Sequence, residues 1–370
     1  MNESMKVPFV DLGAQYKDQR DQILSEVDRV CSSGMYILGP DVEKFEKNFA
    51  KLSQVKHAIS VANGTDALMI ALKALGVGPG DEVITAPNSW ISSASCIALV
   101  GATPVFADVR KDQNIDPEEI KKKITPRTKA IIPVYLTGRC ADMNPICEIA
   151  KEHGLFVIED AAQAVSASYF GKMAGTIGDI ACFSLHPLKN LNGIGDGGVI
   201  TTNDDALAEQ MTLMRNHGIK DRDNIVMWGH NSRLDALQAA ILNVRLEILE
   251  EVIEKRRKNV AFYERELKDL VFCPPEEKGY FNVYQLYVIQ CDRRDELQAY
   301  LQSSGIETKV HYPVPLHLNP FAEYLGYKKG DFPVTEEQSQ RILSLPIHQH
   351  VTEEQAKYVV QKIRSFYQRL

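Results

Sequence analysis

Short β-rich runs alternate with helical patterns from about Val55 to Asp204, and this alternation restricts the fold more than any other feature of the chain. The first four runs, DEVITAP, PVFADV, KAIIPVYL and LFVIED, are separated by WISSASCIALVG, DPEEIKKKI and NPICEIAKEHG, each long enough for a crossover helix. Two more runs, IACFSL and GGVITT, follow. Apolar strands without alternation, spaced by helices, are typical of a largely parallel sheet buried on both faces. The pattern therefore predicts an α/β layer sandwich.

Chain length and a later change of pattern predict two domains. The 370 residues exceed the roughly 250–300 at which a single core stops growing. Around residues 231–270 the pattern becomes long helix, and after the loop CPPEEKG it indicates a small α+β domain built from VYQLYVI, a helix from about Arg293, IETKVHY and two terminal helices. We place a large domain at 1–250 and a small one at 251–370, and we allow the N-terminal segment to pack on the small domain.

The long helical segment carries a narrow apolar seam. Its members recur at three- and four-residue spacing: Leu234, Leu237, Ile241, Val244 and Ile248. Such a seam is either intramolecular core or a subunit interface, and the spacing does not distinguish them.

Charge and cysteine content limit the class of partner and the compartment. A net charge of −7 argues against nucleic acid or an anionic membrane as the main partner. The seven cysteines are odd in number, form no C-x-x-C and often lie in apolar runs, as reduced thiols of a cytosolic protein do. The start, MNESMKVPFVDL, has no signal-peptide core, and no apolar run approaches the ~18 residues of a membrane span. We expect a soluble cytoplasmic protein.

Three glycines, Gly193, Gly195 and Gly198, spell the G-x-G-x-x-G of a dinucleotide-binding turn. That fingerprint needs a strand before it and a helix after it. Here the turn-like HPLKNLN precedes the glycines and the strand pattern VITTND follows them. The inverted context disfavours an NAD site and a dehydrogenase. We expect glycines that let the backbone turn tightly beside a cofactor and then enter a strand.

Three other features together suggest a cofactor site. Asn63, Gly64 and Thr65 precede an apolar stripe, as at a helix N-terminus that is simply capped or that binds phosphate. Asp160 ends a buried strand, where open α/β sheets bind ligands, and Lys189 follows another strand on a polar turn. Pyridoxal 5′-phosphate (PLP) requires this combination of an anion site, an acid for its ring nitrogen and a lysine for its aldehyde.

On these residues the chain resembles the DegT/DnrJ/StrS family of PLP-dependent sugar aminotransferases. The resemblance runs through nearly the whole chain and is carried by VPFVDLGAQY, ANGTDAL, GPGDEVI, VIEDAAQA, GDIACFSLHPLKN, GDGG, MRNHG, GHNSRLDALQAAIL and HYPVPLHL. It implies the fold of type I aminotransferases, a large domain with a mostly parallel sheet plus a small C-terminal α+β domain. It also implies a homodimer with shared active sites.

The resemblance assigns roles to individual residues. Lys189 is expected to bind the cofactor aldehyde, Asp160 to face the pyridine nitrogen and Gln163 to lie near the phenolic oxygen. The other expected cofactor contacts are Trp90 stacked on the ring, Gly64, Thr65 and Ser184 at the phosphate, and Asn231 at the phosphate of the neighbouring subunit.

Some nearby residues are less sharply assigned. His186 either meets cofactor or substrate or braces its turn, and Arg233 is expected to be structural. The proline-rich segment with His311, Tyr312 and His317 resembles one that lines the sugar-nucleotide pocket. A metal site formed by His311, His317 and the HQH at 348–350 is disfavoured, because carboxylate or cysteine ligands are missing at a recognisable spacing.

The expected reaction is ping-pong transfer of an amino group from an amino acid, by resemblance L-glutamate, to a keto sugar. We expect a nucleotide-linked hexose, and the opening VPFVDLGAQY favours a 3-keto over a 4-keto position. Departures from the common family pattern leave the cofactor groups intact but weaken the substrate assignment: Tyr135, Thr137, Ser166 and Leu185. Lys189 argues against the family branch that carries histidine there and removes a hydroxyl.

Two alternatives remain. The substrate could instead be a sugar phosphate or a keto-cyclitol, with the same cofactor chemistry. The chain could also be a non-catalytic PLP-binding regulator, which would not need Lys189, Asp160 and Gln163 together. A regulator would be expected to carry a DNA-binding segment, and no helix-turn-helix or basic extension is evident.

Overall fold

The protein is represented by a computed structural model that describes residues 5–368. Its helices are α1 (Leu12–Ser33), α2 (Pro40–Ser53), α3 (Gly64–Ala74), α4 (Ser92–Leu99), α5 (Pro117–Lys123), α6 (Met143–His153), α7 (Asp205–Met214), α8 (Ala236–Leu246), α9 (Leu249–Leu267), α10 (Arg294–Ser303), α11 (Pro333–Arg341) and α12 (Glu353–Gln368). Its strands are β1 (His57–Val61), β2 (Glu82–Thr85), β3 (Thr103–Phe106), β4 (Thr128–Ile132), β5 (Phe156–Asp160), β6 (Ser168–Tyr169), β7 (Lys172–Met173), β8 (Ile180–Ser184), β9 (Gly198–Thr202), β10 (Ile219–Asp221), β11 (Asn224–Ile225), β12 (Tyr280–Phe281), β13 (Tyr287–Gln290) and β14 (Ile342–Leu345).

A seven-stranded sheet organises the larger part of the molecule, in the order β1-β9-β8-β5-β4-β2-β3. Every neighbouring pair from β8 to β3 is parallel, and only β9 runs against its two neighbours, β8 and β1. The six β-rich runs correspond to β2, β3, β4, β5, β8 and β9, and the three crossover segments correspond to α4, α5 and α6. The predicted mostly parallel α/β fold is confirmed.

Helices cover both faces of this sheet, which explains why its strands are apolar without alternation. On β4, Ile131 packs in a core with α2, α6 and α8, whereas Ala130 and Ile132 pack on the opposite face with α3, α4 and α7. On β8, Phe183 packs in the same core as Ile131, and Cys182 packs on the opposite face with Ala130 and Ile132. Each strand therefore supplies apolar side chains to two separate layers.

The long helical segment is two helices, because the chain leaves helical geometry at Ile248 between α8 and α9. The apolar seam is partly core: Leu234 is buried in the main core, whereas Leu237 and Val244 are only half-buried. The predicted boundary at residue 250 falls at the start of α9. That helix packs its first turns on the large core and its last turns on the C-terminal core, so the division into two domains stays a prediction.

The C-terminal part forms its core around the antiparallel pair β13 and β14, with α9, α10 and α12. Strand β13 covers only the end of VYQLYVI, and β14, between the two terminal helices, was not predicted. IETKVHY makes only isolated bridges: Ile306 pairs with Val7 in parallel and Lys309 pairs with Ser344. Val7, near the start of the described chain, is fully buried in the C-terminal core.

Candidate active site

A cavity of about 630 Å³ lies at the carboxyl ends of β5 and β8, between the central sheet and the C-terminal part. Ligands of open α/β sheets bind in this position. Ten of the twelve predicted site residues line it: Gly64, Thr65, Trp90, Asp160, Gln163, Ser184, His186, Lys189, His311 and Tyr312. The other two, Asn231 and His317, do not.

The start of α3 forms an anion cup on one wall. Asn63 caps this helix by accepting a hydrogen bond of 2.9 Å from the Asp66 N–H. The first N–H groups of a helix have no partner within it, so those of Gly64 and Thr65 are available to an anion. Two hydroxyls, Thr65 Oγ1 and Ser92 Oγ, lie 2.8 Å apart at the same place.

Glycine at position 64 allows Ser184 to approach this cup. A Cβ on Gly64 would lie 3.0 Å from the Cβ of Ser184. Gly198 fits even more tightly, because a Cβ there would lie 2.4 Å from the carbonyl oxygen of Asn63. Since Gly198 begins strand β9, the glycine trio leads into a strand as predicted, and at Gly198 it serves close packing behind the anion cup.

Asp160 ends β5 and is buried among hydrogen-bond donors. Its Oδ2 accepts a hydrogen bond of 2.6 Å from Ser93 Oγ, and its Oδ1 accepts one of 3.2 Å from the Ala162 N–H. Burial raises the pKa of Asp160, while these two hydrogen bonds and the charge of Lys189 act in the opposite direction. A ligand that brings a cationic N–H to this carboxylate would favour its ionised form.

Lys189 lies on the turn after β8, where its backbone N–H donates a hydrogen bond of 2.8 Å to the carbonyl of His186. Burial of the amine lowers the pKa of Lys189 to about 8, although the charge of Asp160 acts against this shift. No residue among 5–368 pairs with the amine through a hydrogen bond or a salt bridge. An amine with a lowered pKa and no partner is a nucleophile at mildly alkaline pH.

The side chain of Gln163 is oriented by the neighbouring loop. Its Oε1 accepts a hydrogen bond of 2.7 Å from the Thr137 N–H, so the NH₂ group is the end of the side chain that donates, and it hydrogen-bonds with Tyr312. Tyr312 lies beside this amide, and burial raises the pKa of its hydroxyl to about 12. The ring of Trp90, which is 59% exposed at the cavity rim, lies 5.7 Å from that of Tyr312.

Two of the three histidines that line the cavity, His311 and His186, differ in their surroundings. Nδ1 of His311 lies 2.8 Å from Ser344 Oγ, and its ring stacks on Phe9 at 5.8 Å. Burial, with the charges of Lys189 and Lys309, lowers the pKa of His311 to about 4, so its imidazole is neutral near pH 7. His186 is exposed, and its Nδ1 accepts a hydrogen bond of 3.2 Å from the Leu188 N–H. His186 therefore both braces its turn and faces the cavity.

His317 is not in the cavity, and the structure does not support its predicted contact with substrate there. The side chain is fully buried, its ring lies 4.6 Å from that of Phe332, and its Nε2 lies 3.1 Å from Glu336 Oε1. His317 lies in the 3-10 helix Leu316–Leu318. Its predicted contact with substrate therefore stays a prediction.

Asn231 lies outside the cavity on an exposed segment that bridges to Asn216. Its predicted contact with the neighbouring subunit's cofactor stays a prediction. Arg233 donates a hydrogen bond of 2.9 Å to Asn216 Oδ1, a contact of the structural kind expected for it. Among the described residues, no group of three or more His, Cys, Asp and Glu is placed to hold a metal ion.

Several cavity residues were missed by sequence reasoning. Ser89 and Ser93 lie in the NSWISSAS stretch, where only Trp90 had been singled out, and their hydroxyls lie 2.7 Å apart. The N-terminal segment supplies Phe9, and the C-terminal part supplies Arg256, Gln285 and His348. His348 belongs to the HQH stretch that was considered above only for a metal site, and nothing in the local sequence of the other three distinguishes them from core or surface residues.

Two of the residues that depart from the common family pattern have left-handed backbone geometry. Thr137 has φ +66° and Ser166 has φ +70°. Ser166 occupies a position where glycine is frequent in the family, and left-handed geometry is what glycine adopts without strain. Thr137 is β-branched, for which this geometry is rare, and it is the residue whose N–H fixes Gln163.

A sequence model of the DegT/DnrJ/EryC1/StrS aminotransferase family matches residues 17–364. The chain belongs to this family. The prediction of a keto-sugar aminotransferase is confirmed, with a fold of type I. Within residues 5–368, no helix combines the length and apolar character needed to cross a bilayer.

Relatives of this DegT/DnrJ/EryC1/StrS chain cover nearly all of it. A pleiotropic regulatory protein of Geobacillus stearothermophilus is 48% identical over 368 residues, 98% of this chain and 99% of the relative. A UDP-2-acetamido-2-deoxy-3-oxo-D-glucuronate aminotransferase of Pseudomonas aeruginosa is 44% identical, covering 93% and 96% of the two chains. The crystal structure of S. venezuelae DesV in complex with a ketimine intermediate superposes with a TM-score of 0.96 at 41% identity, covering 99% of both chains.

Proposed function

We propose that this aminotransferase uses PLP to transfer an amino group from L-glutamate to the C3 keto group of a nucleotide-linked hexose. The observation that carries the proposal is the meeting of Lys189, Asp160 and the anion cup of α3 in one cavity. Each matches a different part of PLP, namely its aldehyde, its ring nitrogen and its phosphate.

The residues fit the cofactor in detail. The Gly64 and Thr65 N–H groups and the Thr65, Ser92 and Ser184 hydroxyls would hold the phosphate. Asp160 would accept a hydrogen bond from the protonated ring nitrogen, which offsets the cost of its own burial. The NH₂ of Gln163 would donate to the phenolic oxygen, and Trp90 would stack on the ring.

When bound, PLP supplies an aldehyde that condenses with amines and a ring that withdraws electrons from the donor's Cα. The chain's own part is proton transfer. With a pKa of about 8, the amine of Lys189 is a base strong enough to take the proton from Cα and return it as an acid. Asp160 keeps the proton on the ring nitrogen, and His311, neutral near pH 7, adds no competing charge.

The substrate class rests on the relatives and on the shape of the site. The Pseudomonas aeruginosa relative is named for a UDP-linked 3-oxo sugar. The cavity opens past Trp90, which leaves a rim where a nucleotide can extend outside the cofactor site. Neutral His311 and Tyr312 lie at the C-terminal wall, where they can donate or accept hydrogen bonds with sugar hydroxyls.

We further propose a homodimer with shared sites. Large apolar side chains are exposed around the segment that carries Asn231, with Trp228 98% and Ile225 68% exposed. Ile37, which forms an isolated antiparallel bridge with Asp235, is 49% exposed. Large apolar side chains that are exposed close together along the chain favour an interface at this position. Size-exclusion chromatography with light scattering tests the dimer, and mixing Asn231→Ala with Lys189→Ala chains tests whether hybrid dimers regain activity.

Nitrogen transfer tests the function itself. The PLP-loaded protein is incubated with ¹⁵N-labelled L-glutamate and either UDP- or dTDP-linked 3-keto hexoses, and products are resolved by mass spectrometry. We expect ¹⁵N in the sugar nucleotide and 2-oxoglutarate in equal amount. Labelling of a keto sugar phosphate or a keto-cyclitol alone would replace the proposed substrate, and labelling of none of them would contradict the function.

A further inference from the structure

Gln285 contacts the peptide groups on both sides of Lys189. Its Oε1 accepts a hydrogen bond of 2.9 Å from the Asn190 N–H, and its Nε2 donates one of 2.7 Å to the Leu188 carbonyl. The side chain is only 7% exposed. A single amide therefore brackets the lysine in the way that a peptide group of a neighbouring strand would.

The segment around Gln285 is itself held in place. Nη1 of Arg256 donates to the carbonyls of Tyr284 and Gln285, both at 3.2 Å. A second hydrogen bond joins this segment to the lysine turn: Asn190 Nδ2 donates to the Val283 carbonyl at 2.9 Å. Because Arg256 is buried, these hydrogen bonds lie where water competes little and the geometry is well defined.

The same segment also reaches the loop that orients Gln163. The Val283 N–H donates a hydrogen bond of 3.0 Å to the Gly138 carbonyl. The Leu286 N–H donates one of 3.3 Å to the Thr137 carbonyl. The backbones are packed closely here. A Cβ on Gly138 would lie 2.9 Å from the backbone nitrogen of Gln285 and 2.9 Å from the carbonyl oxygen of Gln163. Residues 283–286 thus connect the turn of Lys189 with the loop of Gln163.

We infer that Gln285 is a positioning residue that fixes the turn of Lys189, so that the amine meets the reacting carbon in one geometry. The inference rests on the role proposed for Lys189. Removing both hydrogen bonds leaves the Asn190 N–H and the Leu188 carbonyl without partners, and the turn can then shift to satisfy them elsewhere. A displacement of about 1 Å at a catalytic group can cost on the order of 100-fold in rate.

Gln285→Met tests this, because it removes both hydrogen bonds at similar side-chain length. Gln338→Met is the matched control, since Gln338 is 5% exposed and its Nε2 donates 2.9 Å to the Arg110 carbonyl, outside the active-site cavity. We expect kcat of Gln285→Met to fall about 10- to 100-fold relative to the control. KM for the sugar nucleotide should change much less, because Gln285 binds the lysine turn and not the sugar.

A second measurement does not depend on catalysis. Acetic anhydride labels deprotonated lysines, so the pH dependence of Lys189 labelling in the full chain, followed by mass spectrometry, reports the environment of its amine. The charge of Asp160 acts on this amine, and the charge of Lys189 acts in turn on His311. We expect the labelling midpoint to rise in Gln285→Met, as the turn loosens and the amine becomes hydrated, and to stay unchanged in Gln338→Met.

Gln285→Glu is the graded variant. It keeps the acceptor for the Asn190 N–H and loses the donor to Leu188, so its kcat should lie between those of wild type and Gln285→Met, and it decides the question if Gln285→Met does not fold. Equal kcat and equal labelling midpoints in the Gln285 variants and the control would overturn the inference. A wild type without transaminase activity would refute the proposed function, while the labelling comparison would still test Gln285.

Discussion

Ser93 Oγ donates a hydrogen bond of 2.6 Å to Oδ2 of Asp160, from the first turn of α4 to the end of β5. The Ser93 hydroxyl lies 2.7 Å from that of Ser89, so a short chain of hydroxyls leads to the buried carboxylate. Burial raises the pKa of Asp160, and the Ser93 hydrogen bond opposes that shift. Ser93 therefore helps to keep Asp160 charged, as a partner of a protonated ring nitrogen must be.

Ser93→Ala should move the acid limb of the pH–rate profile to higher pH. Without this hydrogen bond the pKa of Asp160 rises further, so the carboxyl becomes neutral at a pH where the wild type is still ionised. A hydrogen bond to a charged group contributes about 1.5–3 kcal/mol, which corresponds to roughly one to two pH units. The pH dependence of kcat measures the shift. Ser95→Ala, on the same helix, should leave the profile unchanged, and an unmoved limb in Ser93→Ala would refute this role.

Lys189→Met should stabilise the cofactor-free protein at neutral pH. The folded-state pKa of Lys189 is about 8, below its ordinary value of 10.5, so burying the charged amine costs free energy at every pH below 8. That cost is on the order of 3 kcal/mol. Between pH 8 and 10.5 the unfolded chain binds more protons than the folded one, so wild-type stability rises and the advantage of Lys189→Met disappears.

Urea unfolding at pH 7 and at pH 10.5 measures this difference. Lys47→Met, at an exposed position, serves as the control and should change the free energy of unfolding little at either pH. If Lys189→Met were as stable as wild type at pH 7, the amine would not be desolvated in the way that we describe.

Gly198→Ala should weaken PLP binding by distorting the anion cup from behind. Its Cβ would lie 2.4 Å from the Asn63 carbonyl oxygen and 3.0 Å from the Gly64 nitrogen, so the start of α3 must move. We expect the Kd for PLP to rise at least about tenfold, which corresponds to 1.4 kcal/mol. Fluorescence titration measures the Kd, with Gly78→Ala as the control because the nearest atom to its added Cβ is 3.8 Å away. Equal affinities in the two variants would contradict the packing argument.

His311 and His317 should respond differently to substitution. His317→Ala removes a fully buried ring from Phe332 and Glu336, and should lower the free energy of unfolding by roughly 2–4 kcal/mol with little change in the KM for the sugar. His311→Ala removes a side chain from the cavity wall and should raise KM with a smaller loss of stability. Denaturation and steady-state kinetics of both variants distinguish the two sites. A raised KM in His317→Ala at full stability would restore the role first predicted for it.

The parts of the fold that sequence predicted are those in which local pattern and tertiary structure agree. Strands β2 to β5 are apolar runs because both faces are covered, and the helices between them repeat with their own period. Strand β14 was missed because ILSL is short and follows a helical pattern, and it forms only by pairing with β13. The extended pattern of IETKVHY forms no strand for a similar reason, since only isolated bridges reach it.

The same distinction between local signals and tertiary contacts holds for the candidate site. Asp160, Lys189 and the start of α3 could be predicted because strand ends and helix starts carry local signals. The positions of Phe9 and Gln285 could not, because each reaches the cavity through contacts between distant parts of the chain. Phe9 comes from a segment held by Val7 on the C-terminal core, and Gln285 comes from a segment held by Arg256.

The visible absorption spectrum of the PLP-loaded protein, before and after addition of L-glutamate, tests the central claim most directly. We predict a band of lysine-bound PLP that is absent in Lys189→Ala and that disappears with glutamate as PLP is converted to pyridoxamine phosphate. A wild-type spectrum identical to that of Lys189→Ala would contradict the role of Lys189. A band that persists with every amino donor would contradict transamination and favour a PLP-binding regulator.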